Sequence, residues 1–289
     1  MKNSGGKSAG GRLFQSEAIG IVELNGVIMD SKKTLKALKQ FDKDPAIQGV
    51  VLRINSPGGS VAPSQEIYEA VKKFKKPLVA SMGSVAASGG FYVACGAKKV
   101  FANPGTITGS IGVIMQFANL SKLYEWAKVK RYSLTTGKYK DAGAEYREMT
   151  AEEKALLQAM INDVLGQFKA AVRDGRHLSA EAVTAVADGR IFSGSQAKAL
   201  KLVDELGGIQ EAVEEVAKLA KIKGEPKIVY PSKSHKNIFD FIPTDDDAAD
   251  EESRASGWLK GAVGQLIGQA QNVSQSLEPG IYWLWKGPL

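Results

Sequence analysis

Apolar and polar positions along this chain fall into blocks whose period changes, and the changes mark a succession of strands and helices. Residues 18–24 and 47–54 are short runs rich in Ile, Val and Leu, which predicts two strands. Residues 32–41 carry apolar side chains at helical spacing between them, and 60–75 do so after the second run. A third apolar run over 77–82 predicts a short buried strand, and 86–95, dense in small residues, predicts a tightly packed helix. Residues 131–134 read as strand-like. Farther on, a long amphipathic helix is expected from Thr150 to about Arg173, opened by Thr150-Ala151-Glu152-Glu153 as a capping box. Shorter helices at 179–187, 194–201 and 209–221 and a strand over 227–230 complete the alternation, which means layered α/β architecture.

Beyond Pro231 the pattern shifts. Residues 231–254 are charged, proline-bearing and acidic, and read as a linker. Trp258, Leu259, Val263, Leu266, Ile267, Ala270 and Val273 then form an apolar stripe at helical spacing. Self-docking or an oligomer contact is expected for it rather than lipid binding, because its polar face has few basic residues. The end of the chain, from Glu278 to Trp285, is aromatic and resembles an apolar peptide. It is expected either to occupy a peptide groove or to pack permanently on the domain. The organisation is a flexible leader (1–17), a folded domain (18–230), an acidic linker (231–254), and an amphipathic helix with an aromatic tail (255–289).

Composition narrows the class. With 289 residues, 44% hydrophobic and 24% charged, the chain has the make-up of an ordinary soluble protein with a full core. No run of eighteen apolar residues exists, and the first residues lack the apolar stretch of a signal peptide. The net charge of +7 becomes +14 once the seven acidic residues of 240–252 are set aside. Such a basic region suits anionic lipid surfaces or acidic partners, with plain surface solubility as the commoner account. Nucleic acid is not expected, since no zinc spacing, basic helix or aromatic platform is present. Cys95 is the only cysteine, so no disulfide forms within the chain, and its apolar helix predicts core packing.

Four segments carry candidate chemistry. Ser88, among small residues where a strand gives way to a helix, would lie near free N–H groups that favour developing negative charge. Its plainer reading is a helix cap. Asn55-Ser56-Pro57-Gly58-Gly59-Ser60 follows a strand, and Gly58 and Gly59 suit either an oxyanion hole or an ordinary strand-to-helix turn. The loop Gly137-Lys138-Tyr139-Lys140-Asp141 offers a lysine base, which matters because the two histidines are poor partners for a serine. His177 lies in a solvated turn and His235 in a basic linker. Ser110, in Thr108-Gly109-Ser110-Ile111-Gly112, would hold a neutral lysine in place or serve as a turn residue.

In that order, and with Gly189-Arg190-Ile191-Phe192-Ser193-Gly194 and the segment from Gln196 to Asp204, these motifs resemble the signal peptide peptidase A family of Ser/Lys proteases over about residues 18–230. The resemblance implies a crotonase/Clp-like β-α superhelix, with Ser88 as nucleophile, Lys140 as general base and Ser110 assisting the lysine. It also implies oxyanion donors at Gly58, Gly59 and Gly89, with neither cofactor nor metal. A serine endopeptidase acting on apolar peptides such as remnant signal peptides is expected. A non-proteolytic acyl-CoA enzyme, or a scaffold for peptides or a membrane partner, is the alternative. Ring-like homo-oligomers with sites shared between subunits are implied as well. Family members often carry a membrane anchor ahead of the catalytic domain, so an extracytoplasmic, membrane-associated enzyme is expected, with a cytoplasmic soluble one as the alternative.

Overall fold

The computed structural model describes residues 17–231 and the backbone of residues 282–284. In chain order the elements are β1 (Ala18–Asn25), α1 (Lys32–Lys43), β2 (Ile47–Ser56), β3 (Gly58–Ser60), α2 (Val61–Lys72), β4 (Leu78–Ala87) and α3 (Gly89–Ala94). There follow β5 (Lys99–Ala102), β6 (Ile107–Gly109), α4 (Ser121–Trp126), α5 (Ala151–Arg176), α6 (Ala180–Val186), β7 (Ile191–Ser193) and α7 (Gly194–Ala199). The last are β8 (Glu205–Leu206), α8 (Ile209–Ala220), β9 (Lys227–Val229) and β10 (Tyr282–Leu284).

The main sheet runs β7-β6-β4-β2-β1-β9, with β5 on β4 and β8 on β5. All its pairs are parallel except β6 with β7. Its central strands are apolar almost without interruption because both faces are covered. Even-numbered Val22, Leu24, Val50, Leu52, Ile54, Leu78, Ala80 and Met82 face one core together with Phe41, Ile67, Phe91 and Phe168 from α1, α2, α3 and α5. Odd-numbered Ile19, Ile21, Val51 and Val79 face the other, against Ala212 and Val216 of α8. The period of two thus assigns each side chain to a layer.

The expected capping box opens α5: Thr150 Oγ1 accepts from the Glu153 amide at 3.2 Å and Glu153 accepts from the Thr150 amide at 2.8 Å. Three expectations need correction. The strand foreseen over 77–82 continues to Ala87, so the helix foreseen from Ala86 starts only at Gly89. The helix foreseen over 60–75 is shorter at both ends. Residues 131–134 form no strand, since no neighbouring strand pairs with them and Leu134 is 95% exposed. The leader, the acidic linker and the apolar stripe of 258–273 lie outside the described residues, apart from Glu17 and Pro231.

Candidate active site

Ser88 stands where β4 ends and α3 begins, 1% exposed, with φ 53° and ψ −119°. A non-glycine residue with such angles stores about 1–3 kcal/mol of strain, which persists only where its surroundings fix it. Here they do: the Ser88 amide donates to the Gly109 carbonyl at 2.8 Å, and its carbonyl accepts from Tyr92 at 2.8 Å. The hydroxyl makes no capping bond to the helix. The turn therefore presents Oγ rather than using it, as strained strand-to-helix nucleophile turns do.

The neighbour that fixes Ser88 is the segment carrying Ser110. Ala86 and Ala87 pair with Thr108 and Gly109, and Thr108 Oγ1 donates to the Ala86 carbonyl at 2.7 Å. Ser110, 7% exposed, is left-handed at φ 51° and donates its amide to the Arg190 carbonyl at 2.8 Å. That bond and the β6–β7 pairing explain why the Gly189–Ser193 motif belongs to the same constellation.

Gly58 and Gly59 open β3. Gly58, at φ +100°, donates its amide to Ser56 Oγ at 3.1 Å. The Gly58 carbonyl accepts from Ile28 at 2.8 Å, and the Ser60 amide donates to the Ile28 carbonyl at 2.7 Å. No side chain fits at Gly59, where a Cβ would lie 2.2 Å from the Ile28 oxygen. Because backbone groups alternate along a strand, those of Gly59 face the opposite edge. That edge is taken by β10, antiparallel, with Trp283 opposite Gly59, Tyr282 opposite Ser60 and Leu284 opposite Gly58. Next to it stands Gly90, where a Cβ would come 2.8 Å from the Ser56 carbonyl, so α3 and the Ser88 turn pack directly on the Ser56 end of β2. Ser88, Gly89, Ser110, Gly58 and Gly59 are thus gathered around one turn.

Lys140 lies on a different segment. It lies in an exposed loop between α4 and α5, its amide donating to the Gly137 carbonyl at 3.1 Å, and among the described residues its ammonium has no hydrogen bond or ion pair. Lys138 is committed elsewhere. Its ammonium pairs with Glu152 and lies 5.4 Å from the Tyr139 ring centre, and the Glu152 bond strengthens its hold on its proton. The loop is tied down by Arg147, which donates to Asp141 at 2.8 Å and to Glu153 at 2.5 Å. The Arg147 hydrogen bonds, aided by Tyr146 at Asp141 and by the Thr150 amide at Glu153, hold both carboxyls down at about 2. Around this anchor the segment exposes Phe117, Leu123, Trp126 (81%), Tyr132 and Leu134.

The structure also places the residues set aside by the sequence. His177 is an exposed, left-handed helix cap, Cys95 is buried with its thiol pushed up to about 12 by desolvation, and His235 lies outside the described residues. No group of three or more His, Cys, Asp or Glu able to hold a metal occurs among the described residues. The sequence reading missed Ser56, Thr108 and Arg147. Thr106 and Thr108, two apart and hence on one strand face, were the available signal for the second.

Comparison with known proteins identifies the family of the chain. The family described as Peptidase family S49 matches residues 70–223, and the family described as Clp protease matches residues 8–108. A "Putative protease" of Synechocystis sp. is 46% identical over 205 residues, covering 69% of this chain and 73% of that protein. A "Putative signal peptide peptidase SppA" of Enterococcus faecium is 34% identical over 225 residues, 72% of this chain and 65% of that one. The "Serine protease SPPA, chloroplastic" of Arabidopsis thaliana is 30% identical over 242 residues, 81% of this chain and 36% of that one. With a serine presented on a strained turn inside the matched segment, the chain is a serine endopeptidase and belongs to peptidase family S49.

Proposed function

We propose that Ser88 and Lys140 act as the catalytic dyad, and that the substrate is an extended apolar peptide, of the kind left by cleaved signal peptides, lying along β3. Lys140 takes the Ser88 proton as Oγ bonds to the peptide carbonyl carbon. The proton passes to the leaving amine as the C–N bond breaks, and water then releases the acyl group. The amides of Gly59 and Gly89 hold the oxyanion, Gly58 sets the turn through Ser56, and Ser110 orients the lysine. The observation that carries this reading is β10. Three residues of the chain itself lie antiparallel on β3 beside the nucleophile turn, which is how a peptide adds to an open strand edge.

Lys140 comes from a neighbouring copy in this proposal. Its exposed position, on a segment rich in uncovered apolar side chains, supports a ring-like homo-oligomer in which burial of that surface brings the lysine to the next subunit's serine. Burial of an ammonium is also what makes a lysine basic near neutrality. The folded domain of 18–230 carries this chemistry, and the aromatic tail competes for its groove. We place the enzyme at a membrane surface on the extracytoplasmic side, where such peptides arise; no helix among the described residues is long and apolar enough to cross a membrane.

A fluorophosphonate probe tests the dyad. It is expected to label Ser88 in the wild type, to fail in Ser88→Ala and Lys140→Ala, and to label Lys138→Ala. Mixed oligomers of the two inactive variants are expected to recover part of the peptidase activity. Labelling of Lys140→Ala at the wild-type rate would remove Lys140 from the site, and no recovery in verified mixed oligomers would place both groups in one chain.

A further inference from the structure

Past Met82 the pairing of β2 with β4 slips. Ile54 lies opposite Met82 but Ser56 lies opposite Ala86, so four steps on β4 answer two on β2. Gly83, Ser84 and Val85 therefore bulge opposite the single residue Asn55. At the same place β4 exchanges one neighbour for another, pairing with β5 through Val79, Ala80 and Ser81 and with β6 through Val85, Ala86 and Ala87. Backbone groups in a bulge lose their ladder partners, and a buried one left unpaired costs about 1–3 kcal/mol.

Side chains supply the missing bonds. Arg53 Nη1 donates to the Met82 carbonyl and to Ser81 Oγ, both at 2.9 Å. Thr106 Oγ1 donates to the Gly83 carbonyl at 2.8 Å, and Asn55 Oδ1 accepts from the Val85 amide at 3.2 Å. Arg53 and Asn55 are two apart on β2 and share a face, so they span the gap in sequence. Gly83 leaves room for this, since a Cβ there would come 3.0 Å from Asn55 Oδ1. Asn55 is itself exposed and belongs to neither core, so packing does not account for it.

We propose that Asn55 is a positioning residue for Ser88. Its amide oxygen pins the far end of the bulge at Val85, three residues before the nucleophile, and so sets the direction in which β4 delivers the Ser88 turn. The inference rests on Ser88 being the nucleophile.

Asn55→Ala and Asn55→Asp separate this role from a structural one, because aspartate keeps the acceptor oxygen and alanine removes it. Asn55→Ala is expected to slow fluorophosphonate acylation of Ser88, and kcat on peptides, by roughly ten- to a hundredfold, the scale of a misaimed reacting group. KM and the unfolding midpoint should stay close to wild type. Hydrogen exchange at the Val85 amide should accelerate roughly tenfold or more, and Asn55→Asp should restore both rate and protection. Wild-type acylation in Asn55→Ala, or aspartate failing as fully as alanine, would overturn the proposal. If Ser88 did not react even in the wild type, the nucleophile assignment would fall, and exchange at Val85 would still decide whether Asn55 holds the bulge.

Discussion

At the scale of the residue, Ser88 trades comfort for aim. Its positive φ with ψ −119° is a region glycine enters readily, and the strain it stores exceeds the roughly 0.5–1 kcal/mol by which glycine's freedom ordinarily destabilises a fold. Ser88→Gly is therefore expected to be more stable than Ser88→Ala by about 1 kcal/mol, read as a higher urea midpoint at unchanged slope, with both variants inactive. Equal midpoints would mean the turn is unstrained. The junction at Ser88 and the turn at Gly58 and Gly59 were legible in the sequence as small residues at strand ends, although a cap and an ordinary turn read the same way there. Asn55 and Thr106 were not legible as partners, since their roles exist only once the register slips and a carbonyl or amide is left without its ladder bond.

At the scale of the element, the central strands could be read because burial on both faces leaves long apolar runs such as 18–22 and 50–52, and α5 because its capping box is written in four adjacent residues. β3 could not: three residues, two of them glycine, carry no period. The misread segment 131–134 has strand-like composition but no strand beside it. What orders its surroundings is the ion-pair anchor of Arg147 with Asp141 and Glu153, invisible to hydrophobic pattern. Both carboxyls titrate at about 2, below their ordinary values near 4. Their contribution is thus complete above the ordinary range and is lost as pH falls from about 4 through about 2. The calorimetric midpoint of Arg147→Ala should lie below wild type by a constant amount above about pH 5, and the gap should close toward pH 2. A gap that persisted there would show that Arg147 acts by packing alone.

At the scale of the whole molecule, Ser88 follows β4 of the main sheet, Gly89 opens α3 and Gly58 and Gly59 lie in the two-stranded sheet with β10, whereas Lys140 lies on an exposed segment. Sequence order brought the candidate residues together but carried no sign that Lys140 is exposed, because exposure is not written in motif spacing. The tail was legible as an apolar, substrate-like peptide, and its strand pairing with β3 has a kinetic consequence. A tethered occupant competes at high effective concentration, so deletion of residues 278–289 is expected to lower KM for peptide substrates and leave kcat unchanged. An unchanged KM would show that substrates do not meet the tail. β10 has a second effect that concerns solubility rather than rate. A strand edge able to accept any extended peptide is also a template on which other chains can stack and aggregate, and natural sheets keep such edges covered. By laying Tyr282–Leu284 along β3, the chain covers a strand edge that would otherwise stand open to other chains.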